Sequence, residues 1–181
     1  MARDAIVLPD ECMRVVIFSN GRGRVPAGLV RSGDVCVHLN TARHAAEVMQ
    51  EVGTWQELII RHASGRYRVP GVPRPGWFVP ASLEGFCHVH FTPCVHGWSE
   101  SAWWNEYALR NPGKCPTTGF LAYRAAREVC KVRGLPVVLV GFDPGGDVGT
   151  EKWGGHAWGY EAAVYERERA KIVPLEVQGA M

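Results

Sequence analysis

Apolar and polar positions alternate along this chain in a repeating order. Residues 14–18 form a compact apolar run that ends on Ser19-Asn20-Gly21, and the pattern predicts a strand running into a small polar turn. In residues 30–39, Gly33-Asp34 makes a turn. Val35, Val37 and Leu39 then alternate against Cys36 and His38, which predicts a second strand ending near Asn40. Thr41 is placed to cap a helix in which Ala45, Val48, Met49 and Val52 recur at i, i+3, i+4 and i+7. Gly53 and Thr54 break that helix, and residues 58–60 read as a third buried strand. Residues 86–91 alternate as a further strand, and residues 99–110 as a helix with Trp103 and Tyr107 packed i to i+4.

The segment 116–142 carries the clearest local pattern. Pro116-Thr117-Thr118-Gly119 is a tight polar turn, with threonines suited to capping and a glycine that admits close approach to the backbone. Leu121, Ala122, Ala125, Ala126 and Val129 fall on one helical face, opposite Arg124, Arg127, Glu128 and Lys131. Gly134 and Pro136 stop the helix, and residues 137–140 form a continuous apolar strand. The first turn of such a helix offers unpaired N–H groups and the positive dipole end, a ready anion site. Beyond it lies a glycine-rich loop, and from His156 the chain enters a helix expected to reach about Lys171. Strand, polar turn and helix in alternation predict an α/β layered fold, helices on a mainly parallel sheet.

Residues 63–82 break the pattern, because four prolines and three glycines forbid a regular element of any length. Arg66, Tyr67, Arg68, Arg74, Trp77 and Phe78 in this loop offer either a substrate rim or a solvated excursion. At 181 residues the chain is long enough for a real core and is most simply one domain. A formal charge of +2 is too mild to point to nucleic acid by itself. No apolar run approaches a membrane span, and the first residues lack a signal peptide's apolar core, so the expected location is cytoplasmic. Six scattered cysteines read as reduced thiols in that setting. Cys87, His88, His90, Cys94 and His96 raise the question of zinc, but they lack a second ligand pair at a matching distance. On a strand, Cys87 points away from His88 and His90. A histidine after a flexible loop and at a helix start, His156, suits acid/base work.

Several stretches in order resemble the sialylmotifs of the sialyltransferase family, glycosyltransferase family 29. VVIFSNG followed by DVCVHLNTARH is similar to the large motif, and VGTWQELIIR to the Val-Gly-x-x-Thr run after it. PTTGFLAYRAAREVCKVRGLPVVLVGF resembles the small motif, and HAWGYE matches the His-x-x-x-x-Glu of the very small motif. His38 stands where the family has arginine. Cys130 sits at the small motif's disulfide cysteine, with Cys12 as its nearest counterpart. In place of the aromatic-rich third motif only Lys152 and Trp153 precede His156.

The resemblance implies a short bacterial or bacteriophage-type transferase with a single Rossmann-like domain. It implies inverting, metal-independent transfer from a CMP-sugar, a nucleotide sugar, to a hydroxyl of a glycan or other acceptor, with no cofactor. It assigns the donor nucleotide to Ser19, Asn20, Gly21, Asn40, Thr117, Thr118 and Gly119, and general base catalysis to His156. Lys152 is left to assist the leaving group, and Glu161 to support the structure. Three other readings stay open on the sequence: a transferase that glycosylates hydroxylated bases in DNA, a non-catalytic nucleotide-binding module, and a zinc-stabilised interaction domain.

Overall fold

A computed structural model describes residues 8–50, 53–61, 86–92, 102–142 and 155–176. Its elements are β1 (Arg14–Phe18), β2 (Asp34–Leu39), α1 (Ala45–Val48), β3 (Trp55–Arg61), β4 (His88–Thr92), α2 (Ala102–Arg110), α3 (Thr118–Arg133), β5 (Val137–Val140), α4 (Trp158–Arg167) and β6 (Lys171–Val173). The strands form one six-stranded sheet in the order β4-β3-β2-β1-β5-β6. Every neighbouring pair is parallel. This is the α/β architecture with a parallel sheet that the alternation predicts, in the Rossmann-like form that the resemblance implies.

Both faces of the sheet are covered, which is why β1, β2 and β5 read as nearly continuous apolar runs. On one face Val15, Ile17, Val35, Val37 and Leu139 pack against Phe120, Leu121, Ala122 and Ala126 of α3 and against Tyr107 and Tyr165. On the other, Val16, Phe18, Cys36, Val138 and Val140 are closed by Val25, Val30, Val48 and Leu175. At the amino ends of β1 and β2, Arg14 and Asp34 are register partners and form a bidentate pair at 2.7 and 2.8 Å, with Asp34 1% exposed. Arg14 also donates to the Leu29 carbonyl.

Three expectations change. The helix after β2 is only four residues long, because the Thr41 hydroxyl donates to Asn20 Oδ1 instead of capping it, and His44 takes the N-cap position without a side-chain bond. The last helix stops well before Lys171: Arg169 turns with φ of 51°, and residues 171–173 become the edge strand β6 beside β5. β2 is buried at all six positions, so Cys36 and His38 face a second core layer instead of solvent. The loop at 63–82 lies outside the described residues, as do Cys94 and His96. Cys12, Cys36, Cys87, Cys115 and Cys130 are free thiols. Burial pushes the Cys130 thiol up to about 12. Among the described residues, no three His, Cys, Asp or Glu side chains group as a metal site, and no helix is long and apolar enough to cross a membrane.

Candidate functional site

The strand order fixes where a ligand can enter. β1 leads to β2 on one side, whereas its other neighbour β5 leads to β6 on the opposite side. In open α/β sheets the crevice at the carboxyl ends of two such strands is the usual binding place. Here it holds an open cavity of about 170 Å³. Ser19 and Asn20 enter it after β1, Asn40 after β2 and Phe142 after β5, while Thr117, Thr118 and Gly119 come from the start of α3. α4 contributes Trp158, Glu161, Ala162 and Tyr165, whose i, i+3, i+4 and i+7 spacing sets them on one face, and His156 stands just before that helix.

Of the residues expected from sequence, Ser19, Asn20, Asn40, Thr117, Thr118, Gly119, His156 and Glu161 therefore share one cavity. Gly21 lies behind it: its N–H donates to Ser19 Oγ at 3.1 Å, and its carbonyl accepts from His44 Nε2 at 3.2 Å. Lys152 is outside the described residues. Ser19 is buried, and its hydroxyl donates to the Gly141 carbonyl at 2.8 Å, pinning the end of β1 to the end of β5. Asn20 likewise braces the turn. Its Nδ2 donates to the Leu39 carbonyl at 2.9 Å, and its Oδ1 accepts from Thr41 Oγ1 at 2.9 Å and Arg43 N at 3.3 Å. Asn40 has φ of 48°, a conformation that asparagine tolerates better than most residues, and its Nδ2 lies 3.5 Å from Thr118 Oγ1.

The start of α3 is capped more fully than the sequence suggests. Thr117 is the N-cap, and its hydroxyl accepts from Phe120 N at 2.9 Å while donating to Glu161 Oε2 at 2.6 Å. The Thr117 N–H donates to Glu161 Oε1 at 2.8 Å. A carboxylate only 3% exposed thus sits against the positive end of the helix, where the dipole stabilises it. An incoming anion meets the amides of Thr118 and Gly119, which helix geometry leaves without intrahelical partners, but shares that helix end with a negative charge. Gly119 also has a structural reason. A Cβ there would come within 2.5 Å of the Phe142 ring, so the close approach it admits is made by the protein's own phenyl group.

His156 has a defined orientation. Its Nδ1–H donates to the Cys115 carbonyl at 2.7 Å, and its ring meets Trp158 edge-on with centroids 5.4 Å apart. In the neutral ring that bond places the proton on Nδ1 and the lone pair on Nε2. The Tyr107 hydroxyl lies 3.0 Å from the same Cys115 carbonyl, 3.0 Å from Glu161 Oε1, and accepts from Ala157 N at 3.2 Å. Burial, with the Glu161 charge as the next cause, raises the Tyr107 phenol well above its ordinary value, so it is a hydroxyl donor at any working pH. Sequence reading treats Tyr107 as core and passes over Trp158 and Tyr165. Their helical spacing with Glu161 is the signal that marks the last two, whereas nothing local marks Tyr107.

Comparison with known proteins adds no relative: no protein-family model, no curated sequence and no solved structure matches the chain.

Proposed function

We propose that this chain is a glycosyltransferase that moves a sugar from a nucleotide-activated donor, a CMP-sugar by the resemblance of its motifs, to an acceptor hydroxyl. The observation that carries the reading is the convergence, in one cavity at the switch point of the sheet, of Asn20, Asn40, Thr118, Gly119 and His156 from four separate stretches of chain. Order along the sequence suggested these residues. Their meeting at the carboxyl ends of β1, β2 and β5 supports a common task.

In this reading His156 Nε2 takes the acceptor's hydroxyl proton as the oxygen bonds to the anomeric carbon. The anomeric carbon–phosphate oxygen bond breaks, and the nucleotide leaves with the electron pair. The Thr118 and Gly119 amides supply hydrogen bonds to the departing phosphate. Inversion and metal independence come from the resemblance. Positioned proton transfer contributes about 10²- to 10⁴-fold in rate, so His156→Ala should lose activity by that factor and still bind the donor nucleotide. The experiment begins with thermal-shift screening of cytidine, uridine, guanosine and adenosine nucleotides and their sugars. Turnover of the stabilising donor is then followed in both proteins. Unchanged turnover in His156→Ala refutes the assignment, and nucleotide binding without any turnover in the unmodified chain marks a binding module instead.

A further inference from the structure

Glu161, Thr117, Tyr107, Cys115 and His156 form one connected set of hydrogen bonds that joins the α3 start to the imidazole. Tyr107 stands at its centre. It comes from α2, buried at 1% exposure, and its ring meets Tyr160 edge-on with centroids 5.2 Å apart and Phe120 at a tilt with centroids 5.6 Å apart. The hydroxyl has a single proton and two acceptors at 3.0 Å, the Cys115 carbonyl and the Glu161 carboxylate. The third contact, from Ala157 N, fixes the residue next to His156. Cys115 is tied to the same segment, since its N–H donates to the Gly155 carbonyl at 2.9 Å.

We propose that Tyr107 is a positioning residue for His156, its hydroxyl proton divided between Glu161 and the carbonyl that holds the imidazole. A hydrogen bond to an ionised group is the stronger one, so the charged carboxylate draws the larger share of the proton and leaves most of the Cys115 carbonyl to His156. When the carboxylate's charge is removed, the proton turns to Cys115 and competes for the carbonyl lone pairs, and the imidazole is held less firmly. The state of the α3 cap is thereby transmitted to the base. The titratable groups that face this cluster among the described residues are the Cys115 thiol, 3.9 Å from Nδ1, with Tyr107, Tyr160 and Glu161.

The inference rests on His156 acting as the base, but its test needs no turnover. Long-range proton–nitrogen correlation spectra of the full chain report both the tautomer and the titration of His156. In the unmodified protein the neutral ring must be protonated on Nδ1, and the Nε2-protonated form overturns the proposal without any variant. Tyr107→Phe removes the donor that shares the Cys115 carbonyl with the imidazole, so the His156 midpoint should rise by about half a pH unit, a threefold change in proton affinity. Glu161→Gln should lower it, and by more in the unmodified background than in the Tyr107→Phe background. Equal effects in the two backgrounds, or a midpoint that Tyr107→Phe leaves in place, overturn the positioning role. Absence of turnover with every donor would remove the transferase reading while leaving this coupling intact.

Discussion

Replacing Gly119 by alanine separates two reasons for having glycine at the start of α3. Its backbone is helical, not left-handed, so alanine there gains about 0.5–1 kcal/mol from the lower entropy of the unfolded chain. Against this, the added methyl would lie 2.5 Å from one carbon of the Phe142 ring and 3.1 Å from the next, and Leu39 closes the site from the strand side at 3.5 Å. Overpacking of this kind costs about 1–3 kcal/mol. The difference is a net loss near about 1 kcal/mol, or a fall in melting temperature of about 2–4 °C for a chain of this size. In a Phe142→Ala background the overlap is gone and only the gain remains, so the same substitution should stabilise. Urea unfolding followed by tryptophan fluorescence across the four proteins of this cycle measures the coupling, expected at about 1–3 kcal/mol. If Gly119→Ala stabilises the unmodified chain, and does so equally without the Phe142 ring, the glycine is there for a ligand and the packing argument fails.

Two further outcomes concern stability. His38 is fully buried, stacked on Phe18, with Nε2 donating to Gln56 and Nδ1 unpartnered, and desolvation lowers its pKa to about 4. The unfolded ring takes a proton below about pH 6.5 while the folded one resists, so stability is complete above that pH. It should decline by up to about 3 kcal/mol as the pH falls toward 4. His38→Phe should flatten that decline in urea titrations between pH 4 and 7, with a contribution of the same sign from His44 remaining, and an unchanged slope refutes it. Arg14→Ala strands the Asp34 carboxylate in the core and should cost about 3–5 kcal/mol, with Arg14→Met/Asp34→Leu recovering part of the loss; additive losses in urea unfolding refute the pairing argument.

The parts of the fold legible in sequence are those written by local chemistry. β5 ends where the apolar run ends, and α3 begins at a threonine cap and stops at Gly134, which has φ of 65°. Asn40 and the Thr117–Gly119 turn were legible for the same reason, since each is a short polar stretch at the end of an apolar one. What failed depended on distant partners. Thr41 looks like a cap until Asn20, on a different strand's turn, claims its hydroxyl. β6 has only three residues and follows a turn made by Arg169 in place of glycine, so nothing separates it from the preceding helical pattern. The role of Tyr107 is set by a bond to Glu161, more than forty residues of sequence away. Periodicity can say that such a side chain faces inward, but not which polar atoms it meets there.

The short antiparallel bridge between Arg24 and Glu176 joins the loop after β1 to the segment after β6. Leu175 beside it fills the space over Gly21, Gly23 and Gly141, where an added Cβ on any of the three would lie within 3.1 Å of it. The consequence is one of timing. A chain emerging from the ribosome presents its first turn early, yet the lock on that turn is among the last described residues to be made. The nascent turn after β1 therefore lacks this cover until residues 175 and 176 have been made.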